Sequence, residues 1–166
     1  GQSGLTCAHY LIRLGYIVDI YEQREELGGS LRTIHTRLNI PDSVIQREIN
    51  NALIKSITIK YGKTLGINIS IDELKAKYDS VFLACGSNPS SESLTDLRAL
   101  DYLCKSLVIG IENWHNSNTF LVAGQSKVFA GGQLTRNPCT LLESVKDGRN
   151  AALAIHKTFP EAEPPT

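Results

Sequence analysis

The sequence predicts an α/β domain built on a largely parallel sheet. Three observations lead there. Stretches with helical periodicity alternate with short β-rich runs along most of the 166 residues. A glycine turn, Gly1-Gln2-Ser3-Gly4, opens the chain and leads straight into a helical pattern. The β-rich run that follows closes on an acidic residue, Glu22, about 20 positions after the turn.

Residues 3–14 read as a helix because Leu5, Ala8, Leu11 and Ile12 fall near one face and Gly15 is placed to end it. Residues 16–22 hold I-V-D-I-Y, a strand pattern. A charged loop, 23–32, then closes on Leu27-Gly28-Gly29. Pro41 opens a second helix to about Lys55, with Val44, Ile45, Ile49 and Leu53 spaced for burial. A strand is expected at 57–61 and a short helix carrying Leu74 at 71–78. Residues 79–85, D-S-V-F-L-A-C, read as a buried strand stopped by Gly86.

The stretch 87–118 carries the weakest pattern. It offers a Ser/Asn/Pro loop, a helix over 95–107 and the only tryptophan, Trp114. Residues 119–123 and 127–130 read as two strands about a Gly124-Gln125 turn, and Gly131-Gly132 breaks the second. A last helix is expected from about Pro138 to Phe159, capped by Asn137, with Pro138 at its first position. Leu141, Val145, Gly148, Ala152, Ile155 and Phe159 recur in it at helical spacing, and the run 146–149 reads as a solvated face. Residues 160–166 read as a loose tail.

Composition limits the function classes. Apolar residues at 42% and charged residues at 20% are those of a globular domain, and the length suits one. A net charge of zero gives no attraction for phosphate backbones or anionic lipid, so neither nucleic acid nor membrane is expected as a partner. Cys7, Cys85, Cys104 and Cys139 are widely spaced and form no C-x-x-C. They predict reduced thiols in a cytoplasmic protein rather than a disulfide framework, and no metal site. Cys139, at a helix start, is expected to have a lowered pKa, and Cys85 to pack as a small hydrophobe. His9 reads as a packing or surface residue, His35 as part of the loop after Gly29, and Trp114-His115 as marking a satellite core or interface rather than a site.

The opening turn is the chemically informative part. Gly1 lets a diphosphate approach the backbone, and Gly4 lets the helix pack closely on the sheet. The helix N-terminus adds N–H groups and a partial positive charge. Glu22 is placed to accept hydrogen bonds from ribose hydroxyls, and a carboxylate there disfavours a 2′-phosphate. FAD or NAD therefore fits better than NADP. A full G-x-G-x-x-G needs one more glycine two positions before Gly1, and a strand before that. The parallel sheet is thus expected to lack its first strand. With no methionine anywhere, the chain is expected to be a piece of a longer polypeptide.

Later motifs separate FAD from NAD. The opening 32 residues, then N-I-P at 39–41, D-S-V-F-L-A-C-G at 79–86, V-F-A-G-G-Q at 128–133 and the run 140–155 resemble one family in order and spacing. They are similar to the FAD-binding half of the glutamate synthase small subunit and of the N-terminal flavin region of dihydropyrimidine dehydrogenase. The resemblance implies a Rossmann-like, glutathione-reductase-like FAD-binding domain over 1–159. Two family segments, 1–86 and 119–159, would be joined by a bridging region, 87–118. It implies that Gly1 and Gly4 are the diphosphate glycines and Glu22 the ribose carboxylate. Gly28, Gly29 and Arg32 match the loop running along the cofactor, and Gly86 ends the strand near it. Gly131, Gly132 and Gln133 match the G-G-D turn beneath the ribityl chain, and Thr140 the helix start aimed at the flavin. No catalytic acid or base is assigned.

Three departures bear on function. Gln133 stands where the family has aspartate, and Asn39 where it usually has arginine. The family inserts an NADPH domain between the motifs at Gly86 and Gly131; about 40 residues are too few for one. The implied activity is an electron-transferring oxidoreductase that uses FAD, takes NADPH electrons only through another domain or chain, and works with a partner subunit. The alternatives are a degenerate scaffold or docking subunit with weak or no flavin binding, and a fragment whose function belongs to its parent chain.

Overall fold

Residues 1–32, 39–53, 57–86, 118–122, 124–136 and 139–159 are described by a computed structural model. The helix expected at 95–107, the bridging region 87–117, His35, Trp114, His115, Asn137, Pro138 and the tail lie outside them.

Among the described residues, four short strands and four α-helices follow the expected order. Helix α1 spans Gln2–Arg13 and leads into β1, Val18–Tyr21. Helix α2, Asp42–Ala52, separates β1 from β2, Ile57–Lys60, and supplies the crossover that parallel pairing needs. Helix α3 is Ile71–Lys77, β3 is Val81–Leu83, β4 is Val128–Ala130, and α4 is Leu141–His156. Strand β1 pairs in parallel with β2, Val18 opposite Ile57 and Tyr21 opposite Lys60. Strand β3 pairs in parallel with β4, Val81 opposite Val128. Among the described residues these are two separate two-stranded sheets.

Residues 120–122 run antiparallel to β4. Val122 N–H donates to the Val128 carbonyl, and Ala130 N–H to the Phe120 carbonyl, each at 2.9 Å. The expected hairpin is therefore present, but its first arm is a bridge at Leu121 rather than a full strand.

The period of two in a strand explains the layering. Val128 and Ala130 point into a core with Ile71, Leu74, Val81 and Leu83 beneath α3. Phe129 points the other way, into Cys7, Ala151, Ala152 and Ile155 of α1 and α4. All three β4 residues are buried, as expected of a strand covered on both faces. A third core, Leu5, Leu27, Ile45 and Ile49, lies under α2, where His9 Nδ1 is 2.8 Å from the Ala52 carbonyl oxygen.

Helix α4 corrects two expectations. Leu141 and Val145, placed in the buried stripe by spacing, are 45% and 39% exposed. The buried face is instead Ser144, Asp147, Gly148, Ala151, Ala152 and Ile155. Residues 146–149 are not all solvated, because Asp147 and Gly148 turn inward against α1. A methyl group at Gly148 would overlap the Ser3 carbonyl oxygen and lie 2.9 Å from Thr6 Cβ. Helices α1 and α4 cross at this glycine because no side chain fits there.

One polar cluster ties α3 to the first sheet. Asp19 and Tyr21 share a face of β1, and Lys60 sits opposite Tyr21 on β2. Lys60 Nζ donates to Asp19 Oδ2 at 2.6 Å and to the Tyr21 and Tyr78 hydroxyls at 3.0 and 3.1 Å. Tyr78, just past α3, donates to Asp19 Oδ2 at 2.5 Å. Hydrogen bonds from Lys60 first, then Tyr78, hold the Asp19 carboxyl below the usual carboxylate range. That stabilisation is complete above the unfolded value of about 3.9 and is lost as pH falls through the depressed folded value. Asp19→Asn is expected to lower stability near neutrality by about 1 kcal/mol. It should also flatten the loss of stability below about pH 4. Thermal denaturation across the acid limb checks this; an Asn variant with an unaltered acid limb contradicts it.

Candidate functional site

A cavity of about 700 Å³ runs between β1 and β3 beside the first turns of α1. Gly1, Gly4, Glu22, Gly29, Gly86 and Gln133 all line it, although they come from five separate stretches of chain. Its apolar lining includes Leu5, Leu74, Val81 and Ile155. A second cavity, about 450 Å³, lies between the 25–27 loop, α2 and β2, and holds none of the expected site residues.

Gly1 is the N-cap of α1, and its carbonyl accepts the Leu5 N–H at 3.0 Å. Among the described residues no side chain caps this helix, and its first turn holds no acidic residue. Helices α3 and α4, in contrast, close their N-termini with capping boxes built on Ser70 and Thr140. The positive end of α1 therefore opens into the cavity without a protein carboxylate beside it in the helix.

The other glycines explain how the turn is held. Gly4 sits on the end of β3, where a methyl group would be 3.2 Å from Ala84 Cβ. Gly29 has φ +55°, and a methyl group there would come within 2.8 Å of Gly1 Cα. The Gly28-Gly29 turn is thus packed directly behind Gly1. Gly132 has φ +70°, and a methyl group there would overlap Ser3 Oγ. Gly131 donates its N–H to the Leu83 carbonyl at 3.2 Å and faces the Phe82 ring. Gly131 and Gly132 back the first turn of α1, and the next residue, Gln133, is the one on the cavity wall.

Glu22 continues the ladder just beyond β1, its N–H donating to the Lys60 carbonyl at 3.0 Å. Its Oε1 accepts the Arg24 N–H at 3.0 Å. Glu22 thus lines the same cavity as Gly1.

Arg32 and Thr140 are engaged within the protein. The Arg32 side chain is 9% exposed. Its guanidinium donates to the Leu27 carbonyl at 2.7 Å, to Asp42 at 2.7 Å and to Gln46 at 2.6 Å, clasping the 27–32 loop to α2. Thr140 donates its N–H and hydroxyl to Glu143 Oε2 at 2.8 and 2.7 Å, and these bonds lower the Glu143 pKa. Helix α4 begins at Leu141 with Thr140 as its cap, three residues after the Asn137 read from sequence. T-L-L-E at 140–143 was the signal for it.

The cysteines differ in setting. Burial pushes the Cys85 thiol up to about 11, and the Cys7 thiol higher still. Cys139 Sγ lies 3.3 Å from Ser144 Oγ. Among the described residues, no group of three or more His, Cys, Asp or Glu converges as a metal site. No helix among them is long and apolar enough to cross a membrane.

Residues 1–52 match the family described as NAD(P)-binding Rossmann-like domain. The glutamate synthase [NADH] of Saccharomyces cerevisiae is 29% identical over 160 residues, 92% of this chain and 7% of that protein. The glutamate synthase [NADPH] small chain of Bacillus subtilis is 25% identical over 147 residues, 84% of this chain and 30% of that one. The NAD-dependent dihydropyrimidine dehydrogenase subunit PreT of Salmonella typhimurium is 34% identical over 109 residues, 62% of this chain and 26% of that one. The chain is similar to these glutamate synthase and PreT proteins. The Rossmann-like match covers its first 52 residues, its described residues are mixed helices and parallel strands, and it spans less than a third of each of these three relatives. Two of the relatives are named as a subunit or small chain.

Three residues that matter to the geometry escaped the sequence reading: Ser3, Arg136 and Asp147. The Gly29 contact is the most direct to test. Gly29→Ala is expected to destabilise by about 1–3 kcal/mol, through the Gly1 contact and the positive φ together. A Tm matching the unsubstituted protein contradicts the packing described.

Proposed function

We propose that this chain is the FAD-binding half of an electron-transferring oxidoreductase, glutathione-reductase-like in architecture. One observation carries the reading: a single cavity gathers the uncapped N-terminus of α1, the Glu22 carboxylate and Gln133. The residues fit a dinucleotide. Gly1 leaves the backbone bare where a diphosphate would approach, Gly4 lets α1 pack on the end of β3, and Gly29 supports that turn from behind. Glu22 would accept the ribose hydroxyls and Gln133 would bond the ribityl chain. The Rossmann family match and the relatives support a nucleotide cofactor; FAD rather than NAD rests on the Gly131-Gly132-Gln133 turn beside it. When bound, the flavin would supply the electron chemistry, and the chain's part is to bind it, orient it and set its electrostatics. Reducing equivalents from NADPH would come through another domain or chain, and electrons would leave to a partner subunit.

The spectrum of the polypeptide in which this chain naturally occurs tests the proposal. Flavin absorbance with stoichiometric FAD is expected, and Glu22→Ala should weaken FAD binding about tenfold. A colourless protein that takes up no FAD on titration rejects the reading and leaves a scaffold or docking subunit.

We also propose that the sheet is completed by one more parallel strand seated between β1 and β3. Each of these strands pairs on one side only among the described residues, and both line the same cavity. Unpaired backbone groups on two facing edges, above an apolar floor, need partners. Hydrogen exchange in the natural polypeptide should show residues 18–21 and 81–83 protected on both edges. Fast exchange on the edges away from β2 and β4 contradicts it.

A further inference from the structure

Asp147 is 3% exposed on the inner face of α4, where a helix packing on a sheet needs only apolar side chains. Burying a carboxylate costs free energy unless its oxygens find donors. Two donors meet it. Oδ2 accepts the Gly132 N–H at 3.2 Å, and Oδ1 lies 3.6 Å from Arg136 Nη2. The other arm of Arg136 lies 3.3 Å from Glu143 Oε1, and Glu143 holds the Thr140 cap. Glu143 and Asp147 are four residues apart and so share one side of α4, which lets one guanidinium span both. A continuous polar path thus runs from the α4 cap through Glu143, Arg136 and Asp147 to the Gly132 amide. It ends one residue before Gln133, the turn's contribution to the cavity wall.

Gly132 itself is confined. It has φ +70° and no room for a side chain beside Ser3. The missing side chain lets the turn approach α1 but does not fix its rotation. A hydrogen bond to a buried, paired carboxylate does, because it orients the Gly132 amide plane and with it the direction in which the chain leaves toward Gln133.

We propose that Asp147 is a positioning residue: through the Gly132 amide it sets the orientation of the Gly131-Gly132 turn and presents Gln133 to the cavity. Arg136 locks that turn to the start of α4. The proposal rests on the reading of the cavity as a flavin site, but its geometric part is testable without flavin.

The test uses Asp147→Ala, Asp147→Asn and Arg136→Gln in the natural polypeptide, with two readouts. The first is hydrogen exchange of the peptide covering 131–135 without FAD; the second is the FAD dissociation constant. Asp147→Ala should speed exchange at Gly132 about tenfold and weaken FAD about tenfold. Asp147→Asn keeps an acceptor oxygen but loses the charge facing Arg136, so it should fall between. Ala152→Gly, which loosens the same helix away from the turn, should leave FAD affinity unchanged. Should Asp147→Ala fail to fold, the Asn and Arg136→Gln variants carry the same comparison, since Arg136 is nearly half exposed. Unchanged exchange at 131–135 overturns the proposal, and so does faster exchange with unchanged FAD affinity. If the unsubstituted protein binds no FAD, the flavin reading fails on its own. The exchange comparison then decides the positioning role: faster exchange supports it and unchanged exchange overturns it.

Discussion

Ser3 occupies a space that leaves no room for a side chain at Gly132 or at Gly148. Three segments distant in sequence meet there: Gly132, in the turn after β4, lies against the Ser3 side chain, and Gly148, in the middle of α4, against the Ser3 main chain. Close packing of this kind is hard to change by small amounts, because a methyl group at Gly148 must displace main chain. The consequence is positional. The N-terminus of α1 is fixed relative to β3 through Gly4, relative to the 28–29 turn through Gly1, and relative to Gln133 through Gly132. A cavity lined from five separate stretches needs such a fixed reference, since each element contributes only one or two groups.

The cavity has two parts with different chemistry. One group of lining elements is polar: the bare glycine backbone, the positive end of α1, Glu22 and Gln133. The other is apolar side chains of α1, α3 and α4, beside β1 and β3, which among the described residues pair on one side only. The polar groups suit a charged dinucleotide. An apolar wall flanked by strand edges suits a backbone that brings its own hydrogen-bonding groups. Both assignments follow from one requirement, that buried polar groups be paired.

Much of this was legible in sequence wherever the signal was local. The G-x-x-G turn, the helix after it and the acid closing β1 are set by spacing within 22 residues, and the structure places them at one cavity. Strand and helix order followed from periodicity for the same reason. What was not legible depends on which face of an element meets another. Residues 146–149 look solvated because three of the four are charged, yet Asp147 is buried through partners 11 and 15 residues earlier. Leu141 and Val145 fit an apolar stripe, but the close crossing at Gly148 rotates that stripe outward. Arg32 matches a cofactor loop by position, and its guanidinium is held by Asp42 and Gln46, whose nearness only the fold of α2 reveals. The cap of α4 is a different case: Thr140 and Glu143 form a recognisable box, and Asn137-Pro138 competed with it as an equally good local signal.

The measurement that bears most directly on the account is a crystal structure of the natural polypeptide grown with FAD. The account predicts an additional parallel strand between β1 and β3, bonded to both. It also predicts the FAD diphosphate at the N-terminus of α1, its adenosine ribose on Glu22 and its ribityl chain beside Gln133. A structure in which β1 and β3 pair directly, or in which FAD lies away from the α1 N-terminus, would contradict it.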